Sequence, residues 1–205
     1  MNRIVRERKP EEPKHLPGDP KVLCQAKIGA LMEFPVLEDQ GQGYIERIFE
    51  KYVRAPGCRV IAVRDKSIYM QHEFRFEQNR FDWRLPGGKV VDKFEDYKQY
   101  IAKEISEEVV INAARKEFQE EAGLDAKEMT VFKRMVCGTT VEWDLYYILA
   151  KDVTDYEIEY VEEDGHHNQD TAWHSFEKVL ELCKSGEIAE GRTVSALIQF
   201  ISTQP

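Results

Sequence analysis

Glu117, Glu120 and Glu121 lie within the run Arg115-Lys116-Glu117-Phe118-Gln119-Glu120-Glu121-Ala122-Gly123-Leu124. Residues 111–122 contain no Gly or Pro and are rich in Ala, Glu, Lys and Arg, which predicts a helix. Gly123 falls where a left-handed C-terminal cap ends such a helix. At i, i+3 and i+4 the three carboxylates share one sector, where each like-charged pair repels by roughly a few tenths of a kcal/mol. A hard cation turns that repulsion into attraction, and oxygen-only donors suit Mg²⁺ or Mn²⁺. A solvated acidic face is the plain alternative for the string alone. Ala114, Phe118 and Ala122 form the neighbouring apolar stripe that packs on a core. Upstream, Leu85-Pro86-Gly87-Gly88-Lys89-Val90 is a glycine turn whose backbone can come close to another group.

Turn and helix together resemble the signature of the Nudix hydrolase family, G-x5-E-x7-R-E-U-x-E-E-x-G-U, where U is a bulky apolar residue. Gly88 fits the first Gly, Glu108 the first Glu, and Glu117, Phe118, Glu120, Glu121, Gly123 and Leu124 the remainder. Two departures stand out. Gly88 and Glu108 are separated by 19 residues instead of five, an insert of about 91–107. The signature Arg position holds Lys116, with Arg115 one place early and about 100° around the helix.

The resemblance implies an α/β fold, the α/β/α sandwich with a mixed β-sheet, and hydrolysis of a nucleoside diphosphate linked to a further group. It implies that Glu117, Glu120, Glu121 and the Gly87 carbonyl bind Mg²⁺, with Mn²⁺ as a substitute. Such metals polarise the bridging phosphate and lower the pKa of an attacking water. Glu108 is then a supporting carboxylate. The family Arg orients a metal-binding Glu; Lys116 keeps the charge without the planar fork, leaving that support weakened or rebuilt by Arg115.

Residues 68–75 and 83–88 (IYMQHEFR and WRLPGG) look like the corresponding runs of ADP-ribose and ADP-sugar pyrophosphatases, as does the tail at 186–193. That narrower resemblance implies a diphosphate substrate such as ADP-ribose, giving a nucleoside monophosphate and a sugar phosphate. Arg75, Arg84 and Gly88 become substrate-binding residues, and Arg75 suits an oxyanion because its donors are planar. Glu163, in the acidic stretch 162–164, is the expected general base. The family also implies a homodimer with exchanged N-terminal segments.

The 205 residues carry a net charge of −9, with 42% hydrophobic and 33% charged residues. That balance describes a globular chain and speaks against a sequence-independent grip on nucleic acid. A metal can still supply positive charge locally for phosphates. Cys24, Cys58, Cys137 and Cys183 are scattered without a C-x-x-C pair, so four reduced, mostly packed thiols in a cytoplasmic protein are expected. No run approaches the ~18 apolar residues of a membrane span.

Residues 1–20 hold four of the eight prolines and read as a flexible arm before a domain over 21–205. Residues 22–36 fit either a strand or a short helix, and 44–53 a strand. Strands are expected at 58–63 and 67–72 around the turn 64–66, then a polar, aromatic loop over 74–84. The insert reads as an amphipathic surface helix extending the catalytic loop. Strands follow at 129–135, 141–150 and 172–173, with an acidic loop over 152–171 that contains His166 and His167. Ser175 caps a helix ending at Gly186, and 193–202 form the last helix. Trp83, Trp143 and Tyr146 could stack on a base or pack in the core.

Three functions compete on these residues. The first is the Mg²⁺-dependent ADP-ribose or nucleotide-sugar pyrophosphatase. The second is a pyrophosphatase for another nucleoside-diphosphate substrate, such as a dinucleotide or nucleoside triphosphate. The third is a degenerate domain that binds a nucleotide without cleaving it.

Overall fold

The structure, a computed structural model, describes residues 15–101, 105–157 and 168–204. In chain order the strands are β1 (His15–Pro17), β2 (Lys21–Gln25), β3 (Gly29–Asp39), β4 (Tyr44–Arg54), β5 (Gly57–Arg64), β6 (Ser67–Arg75) and β7 (Arg80–Arg84). Helices α1 (Phe94–Tyr97) and α2 (Glu107–Ala122) follow, then β8 (Leu124–Met135), β9 (Val141–Glu142), β10 (Leu145–Asp155) and β11 (Asn168–Ser175). The chain closes with α3 (Phe176–Ser185) and α4 (Gly191–Ser202). Two compact units result. One takes Met1–Ala55, Val91–Ser106 and Val136–Trp143; the other takes Pro56–Val90, Glu107–Met135 and Asp144–Pro205.

The first unit is built on the long β3–β4 hairpin, paired from Gly29↔Arg54 to Asp39↔Tyr44. β1 and β2 add antiparallel to β3, and β9 runs parallel to β4. The ambiguous stretch 22–36 is therefore two strands joined by a turn at 26–28, and residues 15–17 of the expected arm are paired with β3. A two-stranded ribbon is marginal in water until one face is covered. Here the insert covers it. Phe94, Tyr97 and Ile101 pack with Ala30, Met32, Val53 and Ala55, and Phe34, Val91, Tyr100 and Ile105 close the edges.

The amphipathic helix expected over 91–107 is corrected by this packing. Ahead of α2, only Phe94–Tyr97 among its described residues are α-helical, continued by a 3-10 turn at Lys98–Tyr100. The apolar residues spaced by helical turns form a core plug for the hairpin, not an exposed extension of the catalytic loop.

The second unit holds a mixed six-stranded sheet in the order β11-β6-β5-β10-β8, with β7 on β6. β10 runs parallel to β5 and antiparallel to β8. Side chains alternate along β5, so Cys58 and Arg59 face opposite sides. Helix α2 packs on β8, β5 and β10 through Val110, Ala114 and Phe118, all fully buried. On the other face α4 docks through Ala196, Leu197 and Phe200, and Thr193 Oγ1 lies 3.0 Å from the Tyr147 hydroxyl. Helices on both faces of a mixed sheet make the α/β sandwich expected from the sequence.

Other expectations shift locally. The loop over 74–84 is a hairpin: β6 runs to Arg75 and β7 starts at Arg80, because alternate aromatic residues meet across the strands. His72 stacks on Trp83 at 4.6 Å and on Phe81 at 4.9 Å. Trp83 is thus packed in an aromatic row, while Trp143 carries Arg54 over its ring. The single strand over 141–150 divides at Asp144, whose buried carboxylate takes Arg134 Nε at 2.8 Å. Ser175 Oγ caps α3 through Lys178 N, and Gly186 ends it at φ 80°. Cys58 and Cys183 are buried free thiols, whereas Cys24 and Cys137 are exposed. Glu163, His166 and His167 lie outside the described residues, as do residues 1–14.

Candidate active site

The helix that carries the glutamates forms where its composition places it, and it begins four residues earlier, at Glu107. Gly123 at φ 63° ends it, with Gly123 N donating to Gln119 O at 3.1 Å. Burial of Ala114 and Phe118 against the sheet fixes the rotation of α2. One sector, Glu117 and Glu121, consequently faces the turn at 86–89. Glu121 Oε2 accepts from Gly87 N at 2.8 Å, and Glu117 Oε1 accepts from Lys89 N at 3.2 Å. Gln71 Nε2 on β6 donates to the Glu121 carbonyl at 3.0 Å and ties the last turn of α2 to the sheet.

Both glycines of the turn are required by close approach. Gly87 sits at φ 140°, and a Cβ there would lie 2.3 Å from the Cys58 carbonyl oxygen. At Gly88 a Cβ would lie 2.2–2.4 Å from the three carboxylate atoms of Glu117. The turn is stitched to β5 by Cys58 N to Gly88 O at 3.0 Å and Val60 N to Pro86 O at 2.8 Å. Burial beneath this turn pushes the Cys58 thiol up to about 11, and the Glu117 and Glu121 charges add to the effect.

The third glutamate separates from the other two. Glu120 is exposed, and its carboxylate lies 3.8 Å from Lys116 Nζ. Arg115 turns away to Asp125 and donates to the Ala126 carbonyl at 2.7 Å, joining α2 to the start of β8. Glu108 is exposed in the first turn of α2.

Arg75 and Arg84 meet in one charged cluster. Arg84 Nε lies 3.2 Å from Glu73, and its Nη1 lies 3.2 Å from Asp82, itself 1% exposed. Arg75 donates to Glu73 at 2.8 Å and also pairs with Glu77. Burial lowers the Arg84 pKa, and the nearby Arg59 and Arg75 charges add to it, against Glu73 and Asp82. A small cavity is lined by Arg59, Asp82, Trp83, Arg84, Leu85 and Glu190, among others.

Sequence reasoning missed Arg59, a lone Arg in a buried strand with no motif around it. Its Nη1 donates to Gly87 O at 2.6 Å and to Cys58 O at 2.9 Å. It also missed the structural role of Gln71.

Two carboxylates one helical turn apart, both turned to a glycine backbone, make an oxygen-only donor set that fits a hard divalent cation. Among the described residues no group of three or more His, Cys, Asp or Glu stands close enough to enclose a metal. The fit therefore rests on Glu117 and Glu121.

A mixed sandwich with a glycine turn held by two glutamates of its central helix is the frame on which the comparisons with known proteins bear. The chain belongs to the NUDIX domain family, whose match covers residues 52–196. It is a hydrolytic enzyme of the general Nudix type, a pyrophosphatase acting on nucleoside-diphosphate-linked molecules. It is similar to "CMP-5'-(N-acetyl-N-hydroxy-3-aminopropyl)phosphonate hydrolase" from Streptomyces rubellomurinus (strain ATCC 31215). The identity is 27% over 161 residues, covering 76% of this chain and 69% of the relative. Its fold resembles that of a crystallised ADP compounds hydrolase at a TM-score of 0.64 and 16% identity, covering 96% of this chain and 95% of the other.

Proposed function

We propose that this chain hydrolyses a nucleotide joined through a diphosphate-type bridge to a small organic group, with ADP-ribose as one member of a wider substrate set. The observation that carries the reading is the convergence of Glu117 and Glu121 on the backbone of the 87–89 turn. The wider set is supported by the curated relative, which is named for a CMP-linked phosphonate. The narrower ADP-ribose reading rests on the runs at 68–75, 83–88 and 186–193, and its candidate contact Arg75 is held by Glu73 and Glu77.

In this proposal Glu117 and Glu121 hold Mg²⁺ or Mn²⁺, while Glu120 lies beside Lys116 and the Gly87 carbonyl accepts from Arg59. Bound there, the metal would polarise the bridging phosphate and lower the pKa of the attacking water. The chain's own residues set the geometry. Gly87 and Lys89 N–H groups orient the two carboxylates, Gln71 holds the end of α2, and Gly88 leaves room for Glu117. Arg84 and Arg75 line the substrate side, with Gly88 at the turn. Glu163 is the proposed general base, and Glu108, Arg115 and Lys116 support the helix.

A homodimer and a cytoplasmic location belong to the same reading. Tyr44, Ile45, Ile48 and Phe49 of β4 are each about half exposed. Alternation puts Tyr44 and Ile48 on one face of the ribbon and Ile45 and Phe49 on the other, apolar surface that a second copy would bury. No described helix is long and apolar enough to cross a membrane. Light scattering on Ile48→Glu tests the dimer: a halved mass against the parent supports it, and a monomeric parent removes it.

The functional test is a hydrolysis screen with Mg²⁺ over ADP-ribose, CMP-linked phosphonates, nucleotide sugars, dinucleotides and nucleoside triphosphates, with chelator as control. Nucleoside monophosphate released from at least one conjugate, and abolished by chelator, is the expected result. Turnover that persists in chelator would remove the metal reading. No turnover of any conjugate would remove the substrate class.

A further inference from the structure

We propose that Arg59 is a positioning residue that sets the active turn at 86–89 from the opposite face of the sheet. The backbone of β5 already holds Pro86 O and Gly88 O through Val60 N and Cys58 N. Those bonds leave two carbonyls at the closest approach of turn and strand, Gly87 O and Cys58 O. The Gly87 N–H cannot serve them, because it is turned to Glu121. Arg59 supplies the missing donor: a single Nη1 bridges Gly87 O at 2.6 Å and Cys58 O at 2.9 Å.

A cation between two carbonyl oxygens also offsets their mutual repulsion, so the charge and the donor act together. Gly87 then has both ends fixed, its N–H by Glu121 and its C=O by Arg59. A glycine at φ 140° has no Cβ to restrict it, so this pair of bonds selects one conformation from the many open to it. Through Gly87, Arg59 controls where the Glu121 carboxylate stands without touching the reacting atoms.

The inference deepens the reaction proposed above, and its test has one arm that depends on that reaction and one that does not. Arg59→Met, which keeps the length and loses the donors, should speed amide hydrogen exchange at Gly87, Gly88 and Lys89 while α3 and α4 exchange as before. On the best substrate of the screen, kcat should fall about 10- to 100-fold, the scale for residues that orient a metal ligand, with KM little changed. Arg59→Lys keeps the charge and a donor and should recover part of kcat. If Arg59→Met does not fold, Arg59→Lys carries the same comparison against the parent. Unchanged exchange at the turn would overturn the proposal. So would a raised KM with kcat retained, which would make Arg59 a substrate contact. A parent protein that cleaves no conjugate would defeat the substrate reading, while the exchange arm still decides the role of Arg59.

Discussion

Gly88→Ala should separate stability from catalysis at this site. The backbone of Gly88 does not require glycine; the space beside it does. A Cβ would lie 2.2 Å from Glu117 Oε1, 2.3 Å from Cδ and 2.4 Å from Oε2. Ordinary contact needs about 3.4 Å, so the carboxylate must retreat by about 1 Å. The end of a Glu side chain can do so cheaply. Its lost bond from Lys89 N is worth roughly 0.5–1.5 kcal/mol. Replacing Gly by Ala returns roughly 0.4–1 kcal/mol by restricting the unfolded chain. Stability should therefore change by less than about 1 kcal/mol, a shift in Tm of roughly 2–4 °C at most for a chain of this size. Activity should not survive as well, because a 1 Å misplacement of a reacting group can cost about 100-fold.

Gly87→Ala is the built-in comparison. Its added Cβ would meet backbone, the Cys58 carbonyl oxygen at 2.3 Å, and its φ of 140° is strained for any L side chain. That variant should lose at least about 1–3 kcal/mol as well as activity. Thermal melting and steady-state hydrolysis with Mg²⁺ on both variants are the assays. Full activity in Gly88→Ala would refute the placement of Glu117 in the reaction, and a large loss of Tm would refute the claim that only its side chain yields.

Glu117→Gln and Glu121→Gln should each lower chelator-sensitive turnover by more than about 100-fold, beyond the loss typical of outer partners, with folding retained by circular dichroism; activity near the parent level would dismiss either as a metal ligand. Thiol titration of the native protein should show Cys24 and Cys137 reacting fast, with Cys58 and Cys183 slow until denaturant is added, because the latter two are buried and burial raises their pKa. Fast labelling of all four would contradict that packing. Burial works against the charge of Glu190, yet the bonds from Arg192 outweigh it and hold the carboxyl below its ordinary 4.5. A depressed carboxyl adds stability above its unfolded pKa and loses it as pH falls through the folded one. Glu190→Gln should therefore be less stable than the parent at pH 7 and converge with it as pH falls through the lowered pKa of the carboxyl; a constant difference across pH would refute the charge argument.

Residues 107–124 state their structure locally. Absence of Gly and Pro, an apolar stripe four residues apart and a terminal Gly are short-range signals, and they specify α2 and its end. Glutamate spacing specifies which carboxylates can share a sector, and the glycine pair at 87–88 marks a close approach. Together they identify the family without any long-range contact. The strands at 58–63 and 67–72 and the capped helix after Ser175 are legible for the same reason.

Tertiary packing decided the remainder. Spacing could not tell that Glu117 and Glu121 face the turn while Glu120 faces Lys116, since that depends on which side of α2 Ala114 and Phe118 bury. The insert shows a helical period, yet its apolar residues are spent as the plug of a hairpin more than 35 residues earlier in the chain. Val141 and Leu145 read as one strand and belong to different units, because Asp144 is fixed by Arg134, a partner no local pattern reveals. Arg59 is the clearest case. Its type and neighbours carry no signal, and its role exists only where the 86–89 turn brings the Gly87 carbonyl beside that of Cys58, within reach of one guanidinium.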